Sequence, residues 1–375
     1  MFENTENIIY KAVGRFDVPC AVAAFGNRNG DFYKKAFGYR RVYPDNIKPT
    51  GITPPGIFPE SIKCETDTLF DLASLSKLVS TTMIALKLIE EGTLCLTDSI
   101  GFFFPSAPDD KRNITIKQLM THTSGIKAHF HLEKVIKKPV PDDRDIINSI
   151  LNMPLVHAPG EIVEYTCMGY ILLGKILELI TGKTLDMLAY KYVFEPLGMN
   201  HTGYNPKKDT RLLGMNSAVT EYNESCNGYI EGIVHDENAR YQGGVSANAG
   251  VFSTVDDLIK FAVMLSNRGK YSNKIYLNKR TFELAITDHT PQKGDSRGLG
   301  FELYDGGLFP TGDLFSPLSY GHNGFTGTSL YVDRETGFFM IFLTNRVHFT
   351  RESSALYRLR RAVANSAISE YLRGM

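Results

Sequence analysis

The chain of 375 residues has no excess of charge: 41 Lys and Arg stand against 41 Asp and Glu. A nucleic-acid binder usually carries a basic surplus, so that class of partner is not expected. Long apolar runs are also missing. The longest, such as FFMIFL at 338–343, are far shorter than the roughly 20 residues that cross a bilayer. The N-terminus, MFENTE, is acidic before it is apolar, unlike the basic start and apolar stretch of a secretory signal. A cytoplasmic protein with no membrane partner is therefore expected. No CxxC pair occurs among the five cysteines (Cys20, Cys64, Cys95, Cys167, Cys226), which are scattered and odd in number. Reduced thiols fit that pattern; a disulfide framework or zinc knuckle does not, and no metal or cofactor is expected. Repeats and low-complexity segments are absent. So is the Gly-x-Ser-x-Gly elbow, which disfavours the α/β-hydrolase fold.

What is present is an ordinary globular composition, 43% hydrophobic and 22% charged. A single core stops growing at roughly 250–300 residues, so two lobes are expected. Residues 3–15 read as an amphipathic helix. Runs at 20–25 and 32–37 read as strands, joined through Asn27-Arg28-Asn29-Gly30 as a hairpin. A Pro- and Gly-rich loop covers 43–68. The spacing of apolar residues predicts a buried helix over 75–91, closed by Gly92 at its C′ position. Helical patterns at 115–122, 143–151, 168–181 and 184–195 follow. After the glycines Gly243, Gly244 and Gly250 comes a helix at 254–268. Strand-like runs appear at 300–304, 318–322, 328–332 and 338–343, then a last helix at 354–372. The expected architecture is α/β (α+β): an antiparallel sheet built from both chain ends and flanked by helices, over 1–97 and 240–375. A mostly helical insert would occupy 98–239, with the active site in the cleft between.

The sharpest chemical signal is Ser74-Leu75-Ser76-Lys77 at the start of the predicted buried helix. Positions i and i+3 share a helix face, so Ser74 and Lys77 can touch. A serine hydroxyl becomes a good nucleophile only when a base takes its proton. Lysine serves if burial and nearby charge lower its pKa from about 10.4. Free N–H groups at a helix N-terminus favour a developing oxyanion. The plainer reading of the same residues is a capping serine and a solvated lysine.

The surroundings decide for chemistry. The segments in question are LFDLASLSK (69–77), LMTHTSG (119–125), Pro159-Gly160, YTCMGYILLG (165–174), HDENA (235–239), GHNGFTG (321–327) and LTNR (343–346). Together they resemble the serine β-lactamase and penicillin-binding protein superfamily. The nearest branch is that of the class C β-lactamases, their D-alanyl-D-alanine carboxypeptidase relatives and related esterases. The resemblance runs from about residue 10 to about residue 350. It implies Ser74 as the acylated serine, Lys77 as a residue that helps deprotonate it, and Tyr165 as the proton-shuttling tyrosine of a Tyr-x-Asn motif. His322-Asn323-Gly324 matches the third motif, Lys-Thr-Gly in β-lactamases and often His-x-Gly in esterase-like members. The oxyanion hole would then be the backbone N–H groups of Ser74 and Phe325. Out of that context Tyr165 reads as a core tyrosine and His322 as a strand histidine.

Two departures bear on substrate. Cys167 stands where the second motif has Asn, and a thiol replaces an amide only weakly as donor or acceptor. His322 lacks the positive charge of the motif lysine. Both point away from efficient penicillin hydrolysis and towards an ester, amide or D-amino-acid peptide. Arg346 fits equally a substrate carboxylate or a surface ion pair. His129-Phe130-His131 lacks the further ligands of a metal site. His122 reads as a structural histidine bonded to backbone. Gly321–Gly327 lacks the Lys-Ser/Thr of a P-loop. The expectation is an acyl-enzyme serine hydrolase acting on a small molecule or peptide. A binding protein that acylates or holds a cell-wall fragment without release is the alternative, and an inert scaffold the third reading.

Overall fold

A computed structural model describes residues 1–45, 47–49, 56–128, 130–224, 228–306 and 309–374. His129 and Cys226 lie outside the described residues. Both chain ends build one antiparallel sheet of seven strands. Their order is Glu302–Leu303, Tyr320–Asn323, Ser329–Val332, Phe339–Leu343, Cys20–Gly26, Phe32–Arg41 and Ile62–Lys63. The hairpin between the first two chain segments turns where the composition places it. The Asn27 side chain accepts from the Asn29 N–H at 2.8 Å, and Gly30 takes φ +88°.

The central strand Cys20–Gly26 is buried along its whole length, because both of its faces are covered. Ala21, Ala23 and Phe25 face the terminal helices Glu3–Gly14 and Ala355–Arg373, where they meet Ile9, Val363 and Ala367. Cys20, Val22 and Ala24 face the larger core, with Leu75, Leu78, Val79 and Phe261. This is a strand with period two between two apolar layers, hence its continuous apolar run. Each buried Val, Leu, Ile or Phe in these layers stabilises the fold by ~1.5–3 kcal/mol, and each alanine methyl by about 0.8 kcal/mol.

The expected single helix over 75–91 is instead a wide π turn, Lys77–Thr82, continued by an α-helix, Met83–Glu90. Such turns are uncommon and occur often at functional sites. The region 98–239 supplies the helices Ile116–Met120, Asp143–Leu151, Cys167–Thr181 and Leu185–Ala189. It also supplies a strand, Thr202–Tyr204, to a small second sheet with Val251–Ser253 and Phe70–Asp71. That sheet leads the chain directly into Ser74. Among the described residues no helix is long and apolar enough to cross a membrane.

Candidate active site

Ser74 sits three residues past the small-sheet strand Phe70–Asp71, at a turn with unusual backbone. Ala73 takes φ +46°, a left-handed conformation that costs a non-glycine residue on the order of 1–2 kcal/mol. The Asp71 carboxylate offsets it: one oxygen accepts from the Ala73 N–H at 2.8 Å, the other from the His235 N–H at 2.6 Å. The turn aims Ser74 into a cleft of about 270 Å³ lined by Tyr165, His322, Gly324, Phe325 and Arg346 among others. Among the described residues the backbone N–H groups of Ser74 and Phe325 have no acceptor. Two unpaired amides beside a serine are what an oxyanion requires.

Lys77 is buried. Its Nζ donates to Ser74 Oγ at 3.0 Å, to the Asn248 carbonyl at 3.0 Å and to Cys167 Sγ at 3.5 Å. It also lies 5.0 Å from the centre of the Tyr165 ring. The i, i+3 spacing thus brings the two side chains into contact as expected, even on a π turn. The expected direction of the lysine pKa is corrected. Burial does pull it down, but the acidic Cys167 and Tyr165 facing it more than offset that, and the net direction is upward. Lys77 rests as an ammonium.

Tyr165 packs at 4.3 Å from the His122 ring and 6.1 Å from the His322 ring. Its phenol faces both Lys77 and Ser74. Burial raises its pKa, and the Lys77 ammonium pulls the other way without reversing the direction. His122 does bond backbone: its Nδ1 accepts from the Thr166 N–H at 3.2 Å. It is also a wall for Tyr165, a role its sequence context does not show. His322 Nδ1 lies 2.7 Å from the Asn323 carbonyl. A carbonyl only accepts, so Nδ1 carries the proton and Nε2 is left as an acceptor. Burial, then the Lys77 and Arg297 charges, bring its pKa down to about 3, so the ring is neutral.

The loop after strand Tyr320–Asn323 comes very close to the serine turn. A Cβ on Gly324 would lie 2.2 Å from the Leu72 carbonyl oxygen, so only glycine fits. Two hydroxyls fasten the loop there: Thr326 donates to the Asp71 carbonyl at 2.7 Å and Thr328 to the Leu72 carbonyl at 2.9 Å. Asn323 lines the cleft, but its amide is committed to Glu302 at 3.0 Å and Tyr331 at 3.1 Å. The Phe325 ring is 46% exposed, stacks on His235 and carries the Arg346 guanidinium 4.6 Å above it. Arg346 is neither a surface residue nor ion-paired among the described residues. It is buried and donates to the carbonyls of Phe325, Arg351 and Ser353.

Sequence reasoning missed the residues that complete the cleft: Arg297, Glu302, Leu356, Tyr357 and Arg360. Arg297 and Arg360 are both buried with an Nε that has no partner. Asn248 was also missed, since it acts on Lys77 through its backbone carbonyl, which no side-chain pattern marks.

The sequence profile of the β-lactamase family matches residues 7–365. A protein of Escherichia coli (strain K12), provisionally named a D-alanyl-D-alanine carboxypeptidase, is 31% identical over 84% of this chain and 76% of its own. A Bacillus subtilis (strain 168) protein named N-acetylmuramyl-L-alanine amidase is 28% identical over 86% of this chain and 76% of its own. Among solved structures, unliganded simvastatin synthase from Aspergillus terreus superposes with TM-score 0.73 at 20% identity, covering 99% of both chains. The octameric penicillin-binding protein homologue from Pyrococcus abyssi gives 0.71 at 24% identity, over 95% of this chain and 76% of that one. These last two likenesses are of fold.

Proposed function

The chain belongs to the β-lactamase family of hydrolases, and from that premise we propose that it is a serine hydrolase working through an acyl-enzyme on Ser74. The observation that carries this reading is Lys77 Nζ at 3.0 Å from Ser74 Oγ, next to two backbone amides without an acceptor. Ser74 Oγ attacks a carbonyl carbon, and its proton passes to the Tyr165–Lys77 pair once that pair has lost one proton. The Ser74 and Phe325 amides hold the oxyanion. The pair returns the proton to the departing amine or alcohol, and water then repeats the sequence to release the acid.

The cleft also favours a substrate class. Arg297, Arg346 and Arg360 line it against a single carboxylate, Glu302, while Leu356 and Tyr357 add an apolar wall. Among the described residues neither Arg346 nor Arg360 makes an ion pair at contact distance; both donate to backbone carbonyls. An acidic small molecule or a peptide with a free carboxylate suits that charge better than a neutral one. With Cys167 in the second motif and a neutral His322 in the third, penicillin hydrolysis is expected to be weak or nil.

Intact-protein mass spectrometry tests the reading. Wild type and Ser74→Ala are incubated with a fluorophosphonate, a penicillin and a p-nitrophenyl ester. The expected result is a fluorophosphonate adduct on wild type alone and turnover of the ester. Absence of every adduct on folded wild type overturns the acyl-enzyme. A product burst equal to the enzyme concentration without a steady state selects the non-turnover binding protein instead.

A further inference from the structure

Arg297 lies in none of the recognisable motifs, yet it is 7% exposed at the wall of the cleft. Its position is set by its backbone. The Arg297 N–H donates to the Thr290 hydroxyl at 2.8 Å, its carbonyl accepts from His289 at 2.9 Å, and it bridges to Glu302. The side chain meets one carboxylate, Asp295, at 2.9 Å, and that partner is 67% exposed. Nε is buried with no partner. Glu302 also faces it, but beyond ion-pair distance, so a buried guanidinium is left with one direct, solvent-screened ion pair and an unsatisfied N–H, a poor structural solution. The guanidinium also faces Tyr165, at 5.6 Å from the ring centre.

We propose that Arg297 is a positioning residue for Tyr165: it braces the ring and supplies, beside Lys77, a second positive charge that steadies Tyr165 as an anion. This rests on the acyl-enzyme reading above and goes further by naming what makes Tyr165 usable as a base. The other groups facing Tyr165 do not supply that charge. His122 and His322 are neutral, held so by burial and by the two cations themselves, and the thiol of Cys167 carries no positive charge in either protonation state. Arg297 in turn faces Glu302 and Asp295, both of which temper its field. A cation over an aromatic face within about 6 Å is attractive before the ring ionises and more so afterwards.

The test is the pH–rate profile of Ser74 acylation, normalised to active sites by the burst. Arg297→Gln is expected to lower kcat/KM about tenfold at neutral pH and to move its rise about one pH unit upward. Arg297→Lys, which keeps the charge, should return the rise to near its wild-type position. Asp295→Asn changes an exposed side chain and unmasks Arg297, so it should move the rise the opposite way, to lower pH. A role limited to packing predicts fewer active sites with an unmoved profile. That result in Arg297→Gln, or in Asp295→Asn if the first variant does not fold, overturns the proposal. A second readout separates this failure from failure of the acyl-enzyme reading. The tyrosinate ultraviolet difference spectrum, wild type minus Tyr165→Phe, reports Tyr165 ionisation even if wild type never acylates. Its midpoint should rise in Arg297→Gln and fall in Asp295→Asn; unmoved midpoints overturn the role of Arg297 alone.

Discussion

The Thr326 hydroxyl donates to the Asp71 carbonyl at 2.7 Å, across 255 residues of sequence. It fastens the Phe325 amide, one residue before it, to the turn that carries Ser74. The two halves of the candidate oxyanion hole come from opposite ends of the chain, and this bond with its Thr328 counterpart sets their separation. Thr326→Val keeps the shape and removes the donor. Stability should fall by about 1 kcal/mol, the usual net worth of one such bond. The loss in kcat should be larger, roughly tenfold or more, with KM little changed, because the misplaced amide matters most when charge develops. A proportionate loss in KM alone would count against this placement.

Gly324 gives a harsher version of the same test. An alanine Cβ there would lie 2.2 Å from the Leu72 oxygen and 2.4 Å from the Thr328 hydroxyl. The Leu72 oxygen is backbone, so backbone must separate from backbone there, and the Thr328 hydroxyl must leave its bond to that same oxygen. Gly324→Ala should remain folded by circular dichroism and lose roughly 100-fold or more in fluorophosphonate labelling of Ser74, as when one oxyanion donor is removed. Wild-type labelling rates would show that this approach does not set the hole.

Some of this was legible in the sequence and some could not be. Ser74 and Lys77 share one helix face through local spacing alone, so their contact needed no distant information. Strand Cys20–Gly26 and its neighbours stood out because they are five residues or longer and bounded by turn residues. Strands Phe70–Asp71 and Val251–Ser253 have two and three residues, too short for a period to show. Arg297 sits among Lys293, Asp295 and Ser296, a stretch that reads as solvated loop. Its burial depends on that loop folding against Tyr165, which only the tertiary structure supplies. The direction of the Lys77 pKa is also non-local, for its acidic neighbours lie ninety residues away in sequence.

The titrations of the site set the shape of its pH profile. Lys77 and Tyr165 both have raised pKa values, so at neutral pH the pair holds both protons. The acylating form has one fewer, so its population grows as pH rises. kcat/KM should therefore climb from neutral towards alkaline pH, by up to about tenfold per unit. His322 titrates at about 3, and deprotonation is already complete well below neutrality. His322→Asn should thus lower the rate without adding or removing a step between about pH 5 and 8. A step in that window that vanishes in His322→Asn would show that the ring is charged.

Cys167 offers the cleanest probe of substrate preference. Its thiol is one of three acceptors of the Lys77 ammonium, at 3.5 Å, and it begins the helix Cys167–Thr181 behind Thr166, which caps it by accepting from the Met168 N–H. Sulfur accepts weakly, and it offers a substrate amide almost nothing. Cys167→Asn restores a carbonyl that Lys77 can use and adds an N–H that can reach an amide carbonyl on the substrate side. A hydrogen bond involving a charged or well-placed amide group contributes about 1.4 kcal/mol, or tenfold. Acylation by a penicillin, which carries a side-chain amide, should rise about tenfold in Cys167→Asn. Acylation by a simple p-nitrophenyl ester, which carries none, should change less than about threefold. The ratio of the two rates is the decisive quantity, because any general effect on Lys77 or on folding cancels in it. An equal change for both substrates would place Cys167 in the proton relay alone and leave the preference to the arginine-lined wall.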